Sequence, residues 1–81
     1  MQMQKSFSSR YQKSLLQLLR EVREDAGLRQ VDVAKRLGHP QSFVSKYESG
    51  ERRLDLLELE DVCAACEIDL DVFVARYLAL K

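Results

Sequence analysis

The chain is 81 residues long, with 46% hydrophobic and 32% charged residues, and its formal net charge is zero. This composition predicts one small globular domain and excludes a disordered chain. No apolar run approaches the roughly 18 residues of a membrane span, and residues 1–9 lack the apolar stretch of a signal peptide, so we expect a cytoplasmic protein.

The zero net charge conceals a strong asymmetry along the chain. Residues 1–54 contain eleven Lys or Arg against six Asp or Glu, a balance of +5, whereas residues 55–81 contain two against seven, a balance of −5. Because such a molecule can present one basic face, a nucleic-acid partner is compatible with overall neutrality.

The first helix is predicted from its cap and from the spacing of its apolar residues. Ser9 and Gln12 form a capping-box pattern that predicts its start at Ser9, and apolar residues then recur at helical spacing. Gly27 predicts its end. We therefore expect residues 1–8 to be a flexible N-terminal segment and residues 9–81 to form a single domain.

Two short helices follow, joined by a tight turn. The second helix is predicted over about Gln30–Leu37 and is stopped by Gly38. Pro40 fits the first position of a third helix, because its missing N–H donor would be unpaired there anyway, and Gly50 ends that helix. Two short helices joined by the residues LGHP form a helix-turn-helix pattern.

The last two helices begin at aspartate caps. Asp55 predicts a fourth helix to about Glu67, and Asp69 predicts a fifth to about Ala79. The residues expected to face inward are Leu56, Leu59, Val62, Cys63 and Cys66 on the fourth helix and Leu70, Phe73, Val74, Tyr77 and Leu78 on the fifth. No segment alternates as a strand would, so the sequence predicts an all-α domain of five helices.

Helix three separates its polar residues from its apolar ones. On a helical wheel one arc holds Gln41, Ser42, Ser45, Lys46 and Ser49, and the opposite arc holds Phe43, Val44 and Tyr47. A solvated face usually carries long Glu and Lys side chains of alternating sign. Short hydroxyl and amide groups suit close approach to base edges in a major groove, although this pattern alone also fits a solvated face.

Four motifs follow one another between Leu18 and Leu70: REDAGLRQ, VAKRLG, PQSFVSKYESG and ERRLDLLEL. With them the sequence resembles the Cro/C1-type (XRE-like) helix-turn-helix family of phage and bacterial regulators. The resemblance implies a compact five-helix, lambda-repressor-like DNA-binding domain. It also implies that helix three enters double-stranded DNA and that a homodimer binds a pseudo-palindromic operator.

The resemblance assigns roles to individual residues. The positions that it implies for base reading are Gln41, Ser42, Ser45 and Lys46. It places Gln30 where the family has a glutamine that holds a phosphate and braces the recognition helix. Arg23 and Glu48 match a pair that the family often buries as an ion pair between helices one and three. The alternative is that they are two unrelated surface charges.

Positive charges flank helix three. Arg29 lies near the start of helix two, and Arg52 and Arg53 follow helix three, where phosphates beside the groove would lie. Each of the three also fits an ordinary solvated arginine. We expect Ser49 to contact phosphate too. Phe43 is ambiguous, since the wheel places it in the core while a similar aromatic in the family touches the DNA backbone.

Three positions depart from the usual pattern of the family. Arg29 stands where a Thr or Ser cap is common, which weakens the local cap but adds a cation. Pro40 replaces a common hydroxyl cap. Glu67 occupies a position often held by glycine, so the turn after helix four is expected to differ.

No pattern predicts catalysis, a metal or a cofactor. Cys63 and Cys66 have the spacing of half a zinc site, but zinc needs about four ligands and the single histidine, His39, is far away in sequence. We interpret the cysteines as packed thiols and His39 as a solvated turn residue. No nucleophile with its base, carboxylate pair or glycine-rich phosphate loop is evident, so we expect a non-enzyme.

Helix five has more apolar surface than one monomer's core can use. We expect Val72, Ala75, Ala79 and Leu80 to form a homodimer contact that spaces two recognition helices about one DNA turn apart. The favoured function is a dimeric, sequence-specific transcriptional regulator, acting as a repressor at the nucleoid. The alternatives are an antitoxin that autoregulates its operon and binds a toxin protein, or a dimeric scaffold that has lost DNA binding.

Overall fold

Five helices make up the described part of the chain. The computed structural model describes residues 3–80, with side chains from residue 11 onward. In chain order the helices are α1 (Met3–Asp25), α2 (Gln30–Leu37), α3 (Gln41–Ser49), α4 (Leu56–Ala65) and α5 (Leu70–Ala79). No strand occurs among these residues, so the prediction of an all-α domain with five helices is confirmed.

Helix α1 is longer than the sequence predicted. It begins at Met3, so the predicted start at Ser9 is wrong. Residues 3–8 contain no glycine or proline, and a capping-box pattern inside such a run does not prevent the helix from extending through it. The division into a segment 1–8 and a domain 9–81 stays a prediction. Neither α1 nor any other described helix is apolar enough over a sufficient length to cross a membrane.

Glycines in the left-handed conformation end α2 and α3. Gly38 (φ 73°) donates its N–H to the carbonyl of Lys35 at 3.2 Å, and Gly50 has φ 89°. A Cβ atom on Gly50 would lie 3.0 Å from Cδ1 of Leu16, so a larger residue there would push the Leu16 side chain aside and would strain the left-handed backbone. Pro40 has extended backbone and is the N-cap of α3, so its predicted place as the first helical residue is wrong by one position.

The core lies where the five helices converge, and every helix contributes to it. The buried apolar residues are Leu18, Leu19 and Val22 of α1, Val33 and Ala34 of α2, Val44 and Tyr47 of α3, Val62, Cys63 and Ala65 of α4 with Cys66 after it, and Phe73 of α5. Removing this surface from water is the main force that favours folding. It also holds α3 with its apolar side inward.

Three residues that were predicted to face inward are exposed. Leu56 is 67% exposed because it is the first residue of α4 and precedes the turn that meets the core. Val74 and Leu78 are exposed as well, while Phe73 is buried and Tyr77 half-buried. Val74 and Leu78 each follow an inward-facing residue and are therefore turned by about 100 degrees from it.

The turn between α4 and α5 contains a non-glycine residue in the left-handed conformation. Glu67 has φ 64°, a conformation that glycine usually adopts at the end of a helix. Ile68 donates its N–H to the carbonyl of Cys63 at 3.0 Å and closes the turn. Arg36 on α2 donates to the carbonyl of Ala65 at 2.8 Å and to the Glu67 carboxylate at 2.9 Å. Arg36 thus ties this turn to α2.

Both cysteines are free and buried. Burial raises the pKa of Cys63 and of Cys66 to about 11. Both thiols are therefore protonated near neutral pH and are weak nucleophiles.

Candidate nucleic-acid interface

Helix α3 presents a polar face to solvent. The residues on this face are Gln41, Ser42, Ser45, Lys46 and Ser49, and all five are exposed. On the opposite side, Val44 and Tyr47 are buried in the core. No described part of the chain covers the polar face, so it is open to a partner along its length.

A short, hydrogen-bonded turn joins α2 to α3. The His39 N–H donates to the carbonyl of Ala34 at 3.0 Å, and the Phe43 N–H donates to the carbonyl of Pro40 at 2.9 Å. The two helices also share the core, because Ala34 and Val44 are both buried. The turn therefore fixes the direction in which α3 leaves α2.

A buried ion pair joins α1 to α3. Arg23 donates from Nε to Oε2 of Glu48 at 2.6 Å and from Nη2 to Oε1 at 3.1 Å, so the contact is bidentate. The Glu48 side chain is only 1% exposed. Arg23 also donates to the carbonyl of Leu28 at 2.9 Å, and its hydrogen bond to Glu48 raises the pKa of the guanidinium. The pair anchors α3 and the α1–α2 loop to α1.

Two glutamines extend this network to the exposed face of α3. Gln30 donates from Nε2 to Oε1 of Glu48 at 3.0 Å, and Gln41 donates from Nε2 to Oε1 of Gln30 at 3.3 Å. A chain of hydrogen bonds therefore runs from the buried Arg23 to the exposed amide of Gln41. This chain orients Gln41 before any partner is present.

Two of the predicted phosphate-binding arginines are held by carboxylates. Arg29 donates from Nε and Nη2 to Asp32 at 3.1 and 3.0 Å. Arg52 donates from Nη1 and Nη2 to Glu58 at 3.1 and 2.7 Å. The hydrogen bonds from the guanidinium lower the pKa of each carboxyl to about 2. Sequence reasoning missed Asp32 and Glu58, although Glu58 completes a capping pattern three residues after Asp55.

The Phe43 ring contacts three other side chains of the protein. The ring of His39 stacks on it with centroids 4.2 Å apart and an interplanar angle of 12°, and Tyr47 meets it edge-on at 5.6 Å. The guanidinium carbon of Arg52 lies 4.7 Å from the Phe43 centroid. His39 is exposed, yet this stacking shows that it packs against α3, which its prediction as a solvated turn residue did not include.

The remaining predicted contacts differ in how free their side chains are. Ser49 donates its hydroxyl to the carbonyl of Lys46 at 3.1 Å, so that proton is used within the chain. Lys46 and Arg53 are exposed, and neither forms an ion pair with a carboxylate among residues 11–80. Their positive charges are therefore the most available ones near α3.

Besides Val31 of α2, apolar side chains are exposed on α5 and at the start of α4. On α5 and directly after it, the exposed residues include the four predicted interface residues Val72, Ala75, Ala79 and Leu80, together with Val74 and Leu78. At the start of α4, Leu56 and Leu57 are 67% and 72% exposed. The exposure at the start of α4 was not predicted, since the sequence pattern assigned Leu56 to the core.

The sequence model of the helix-turn-helix family matches residues 19–73, which is more than half of the chain. The solved structure of an XRE-family like protein from Pseudomonas syringae pv. tomato str. DC3000 is similar over 100% of this chain and 99% of that one, with 40% sequence identity and a TM-score of 0.90. The chain belongs to the Cro/C1-type (XRE-like) helix-turn-helix family. No curated protein matches it.

Membership in the Cro/C1-type family connects the fold to DNA binding. The match contains α2, α3 and α4 in full, so the polar face of α3 and the Arg23–Glu48 pair lie within it. The fold is that of DNA-binding transcription regulators and is typical of regulators that are not enzymes. The first part of α1 and the last part of α5 lie outside the family match but within the similarity to the XRE-family like protein.

Proposed function

We propose that this Cro/C1-type domain is a sequence-specific transcriptional regulator that inserts α3 into the major groove of double-stranded DNA. The observation that carries the proposal is the exposed polar face of α3, which the Arg23–Glu48–Gln30–Gln41 chain of hydrogen bonds orients. The major groove is wide enough to admit a helix, and preorganised side chains lose less entropy on binding.

The base-reading roles follow from the donors and acceptors on this face. Gln41 can form a bidentate pair with adenine, and Lys46 can donate to the O6 and N7 acceptors of guanine. Ser42 and Ser45 are short enough to let the helix approach and can contact bases or nearby phosphates. We propose these four residues as the base-reading set.

The phosphate-binding roles fall into two groups. Arg53 and Gln30 are proposed to hold phosphates directly, since Arg53 has no carboxylate partner among the described side chains and Gln30 lies at the start of α2. Arg29 and Arg52 are proposed to bind phosphates after leaving their carboxylates. Ser49 and Phe43 are proposed to touch the backbone at the edge of the groove.

A homodimer is proposed to place two copies of α3 on a pseudo-palindromic operator. The support is the exposed apolar surface of α5, which a second copy would cover. A two-fold dimer with recognition helices one DNA turn apart would contact both half-sites from one side of the duplex. Such a dimer acts most simply by excluding other proteins from that DNA, so we propose repression, in the cytoplasm at the nucleoid.

An antitoxin role is the second candidate. The exposed pair Leu56 and Leu57 lies on α4 rather than on the proposed α5 contact, so it offers apolar surface to a different protein. A toxin protein that copurifies with this chain in a fixed ratio would support this function. Its DNA binding would then serve autoregulation.

The proposed function is tested by selecting duplexes from a randomised pool and titrating the selected and random duplexes by fluorescence anisotropy. We expect one sequence family to be enriched and to bind at least about a thousandfold more tightly than random duplex. Repeating the titration at two salt concentrations counts the phosphate contacts, because each one steepens the salt dependence. Equal affinity for all duplexes would contradict sequence-specific regulation.

A further inference from the structure

Two arginines beside the recognition helix share an arrangement that the proposed function does not explain. The guanidinium groups of Arg29 and Arg52 each bind a carboxylate at the third position of a helix. These carboxylates are Asp32 in α2 and Glu58 in α4. Asp32 accepts the backbone N–H of Arg29 at 2.8 Å as well as its guanidinium, and Glu58 accepts the N–H of Asp55 at 2.9 Å as well as the guanidinium of Arg52. Both carboxylates thus serve as a cap and as a partner for arginine.

A carboxylate and a phosphate compete for the same arginine. The guanidinium presents its donors as a planar fork that matches either anion, and a fork that is bidentate to one cannot be bidentate to the other. Helix N-termini also favour anions, through their free N–H groups and the helix dipole. Asp32 and Glu58 therefore occupy the places at α2 and α4 that a DNA phosphate would take.

The two pairs are weak enough to exchange. Arg29 and Arg52 have side chains 79% and 41% exposed, and ion pairs in such positions contribute little because water and salt screen them. They also persist over the whole working pH range, since each arginine lowers the pKa of its carboxyl to about 2. Both carboxylates therefore stay charged and compete for the arginines at every working pH, and a phosphate close to an arginine can displace them.

We propose that Asp32 and Glu58 compete with DNA phosphates for Arg29 and Arg52 and so lower the affinity for every duplex, the operator included. This inference rests on the proposed DNA-binding function. On random DNA the uncommitted cations beside α3, Lys46 and Arg53, attract phosphates from the start. On the operator, base contacts hold α3 close enough for phosphates to displace the two carboxylates.

The test uses Glu58→Gln and Asp32→Asn. Each amide keeps an oxygen that can accept the cap N–H, so the helix starts are preserved while the negative charge is removed. We expect affinity for a random duplex to rise about two- to fivefold for each substitution at low salt, the range that an exposed ion pair corresponds to. The slope of log affinity against log salt concentration should steepen by about one for each arginine released. Operator affinity should rise by at least the same factor, because wild-type protein loses both carboxylate pairs in full when its arginines reach the phosphates of the operator.

Glu51→Gln is the matched control. Glu51 is exposed in the loop after α3 and forms no ion pair among the described side chains, so the change removes the same charge without releasing an arginine. We expect it to change the affinity and the salt slope less than Glu58→Gln does. Thermal unfolding of all variants checks that the fold is retained.

Three results would overturn the inference. The first is an equal gain in DNA affinity for Glu51→Gln and Glu58→Gln, which would show that the gain comes only from the change in net charge. The second is weaker DNA binding by Glu58→Gln and Asp32→Asn, which would make the carboxylates positioning residues for the arginines. The third is that neither Glu58→Gln nor Asp32→Asn changes the affinity for DNA. Wild-type protein that binds no duplex at low salt would instead contradict the proposed function itself.

Discussion

At the scale of single residues, Tyr47 combines two opposing contributions to stability. Its ring is buried in the core, which favours folding, but its hydroxyl has no hydrogen-bond partner among residues 11–80. Burial raises the pKa of the phenol, so the group stays neutral. A buried donor without a partner has lost its hydrogen bonds to water and gained none in return.

We expect Tyr47→Phe to leave the free energy of unfolding unchanged or to raise it by about 1 kcal/mol, because it removes only the unsatisfied hydroxyl. Tyr47→Ala should lower it by about 3 to 5 kcal/mol, because it also removes the packed ring. Urea unfolding followed by circular dichroism measures both. A clear loss of stability in Tyr47→Phe would mean that the hydroxyl has a partner in solution.

Glu67 shows a conflict between backbone conformation and side-chain contact. The left-handed backbone disfavours any residue with a Cβ atom, while the exposed ion pair with Arg36 contributes little. We expect the free energy of unfolding of Glu67→Gly to be about 1 kcal/mol higher than that of Glu67→Gln, which loses the same charge but keeps the Cβ atom. Thermal or urea unfolding of the two variants side by side gives this difference. Equal stability would show that the turn carries no strain.

At the scale of helices, the buried pair of Arg23 and Glu48 determines how α3 is held. Its two hydrogen bonds cross from α1 to α3, and Gln30 adds α2 to the same carboxylate. The physical reason for its importance is asymmetry, since breaking one side leaves a charge buried without compensation.

We expect Arg23→Met to lower the free energy of unfolding by about 3 to 5 kcal/mol. The double variant Arg23→Met with Glu48→Leu should recover much of that loss, because neither charge remains. Arg29→Met, which breaks the exposed pair with Asp32, is the control and should cost at most about 1 kcal/mol. Equal losses in Arg23→Met and Arg29→Met, measured by urea unfolding, would contradict the burial of the first pair.

Substitutions on α3 and directly after it should distinguish base contacts from phosphate contacts. We expect Gln41→Ala or Lys46→Ala to cost about 1 to 3 kcal/mol on the selected operator and to relax base choice. Arg53→Ala should instead weaken binding to every duplex by a similar factor and reduce the salt slope by about one. Arg76→Ala on α5 serves as a control for removing a cation elsewhere. If Gln41→Ala and Arg53→Ala lost the same affinity on operator and random duplex, the base-reading assignment would be wrong.

At the scale of the whole molecule, charge and apolar surface are distributed unequally. The basic N-terminal two thirds include the recognition helix, and the acidic remainder includes α4 and α5. The exposed apolar residues of α5 are therefore well separated along the chain from the DNA-binding positions. We expect the proposed dimer through α5 to leave both polar faces of α3 free for DNA.

We expect the wild-type chain to sediment as a dimer at tens of micromolar protein and Ala75→Glu to sediment as a monomer, because the new charge would be buried in the contact. Ala64→Glu, the same change at an exposed position of α4, should leave the dimer intact. Operator affinity should fall in Ala75→Glu without a change in thermal stability of the monomer. A monomeric wild type would contradict the proposed α5 contact.

The prediction of the fold succeeded where local spacing decides the outcome. Gly38 and Gly50 stop helices because of their own backbone freedom, and the polar and apolar arcs of α3 follow from about 100 degrees per residue. The prediction failed at Leu56 and Leu78, where periodicity identifies an apolar position but not whether another helix approaches it.

By itself, the sequence determined the helices, the stops between them, the split face of α3 and the motifs of the Cro/C1-type family. These properties depend on neighbours within one or two helical turns, which the order of residues already specifies. Only the tertiary structure decided that Arg52 is held by Glu58 and that Gln41 is linked through Gln30 to Glu48. Such contacts join residues from different elements, and their partners depend on how those elements pack.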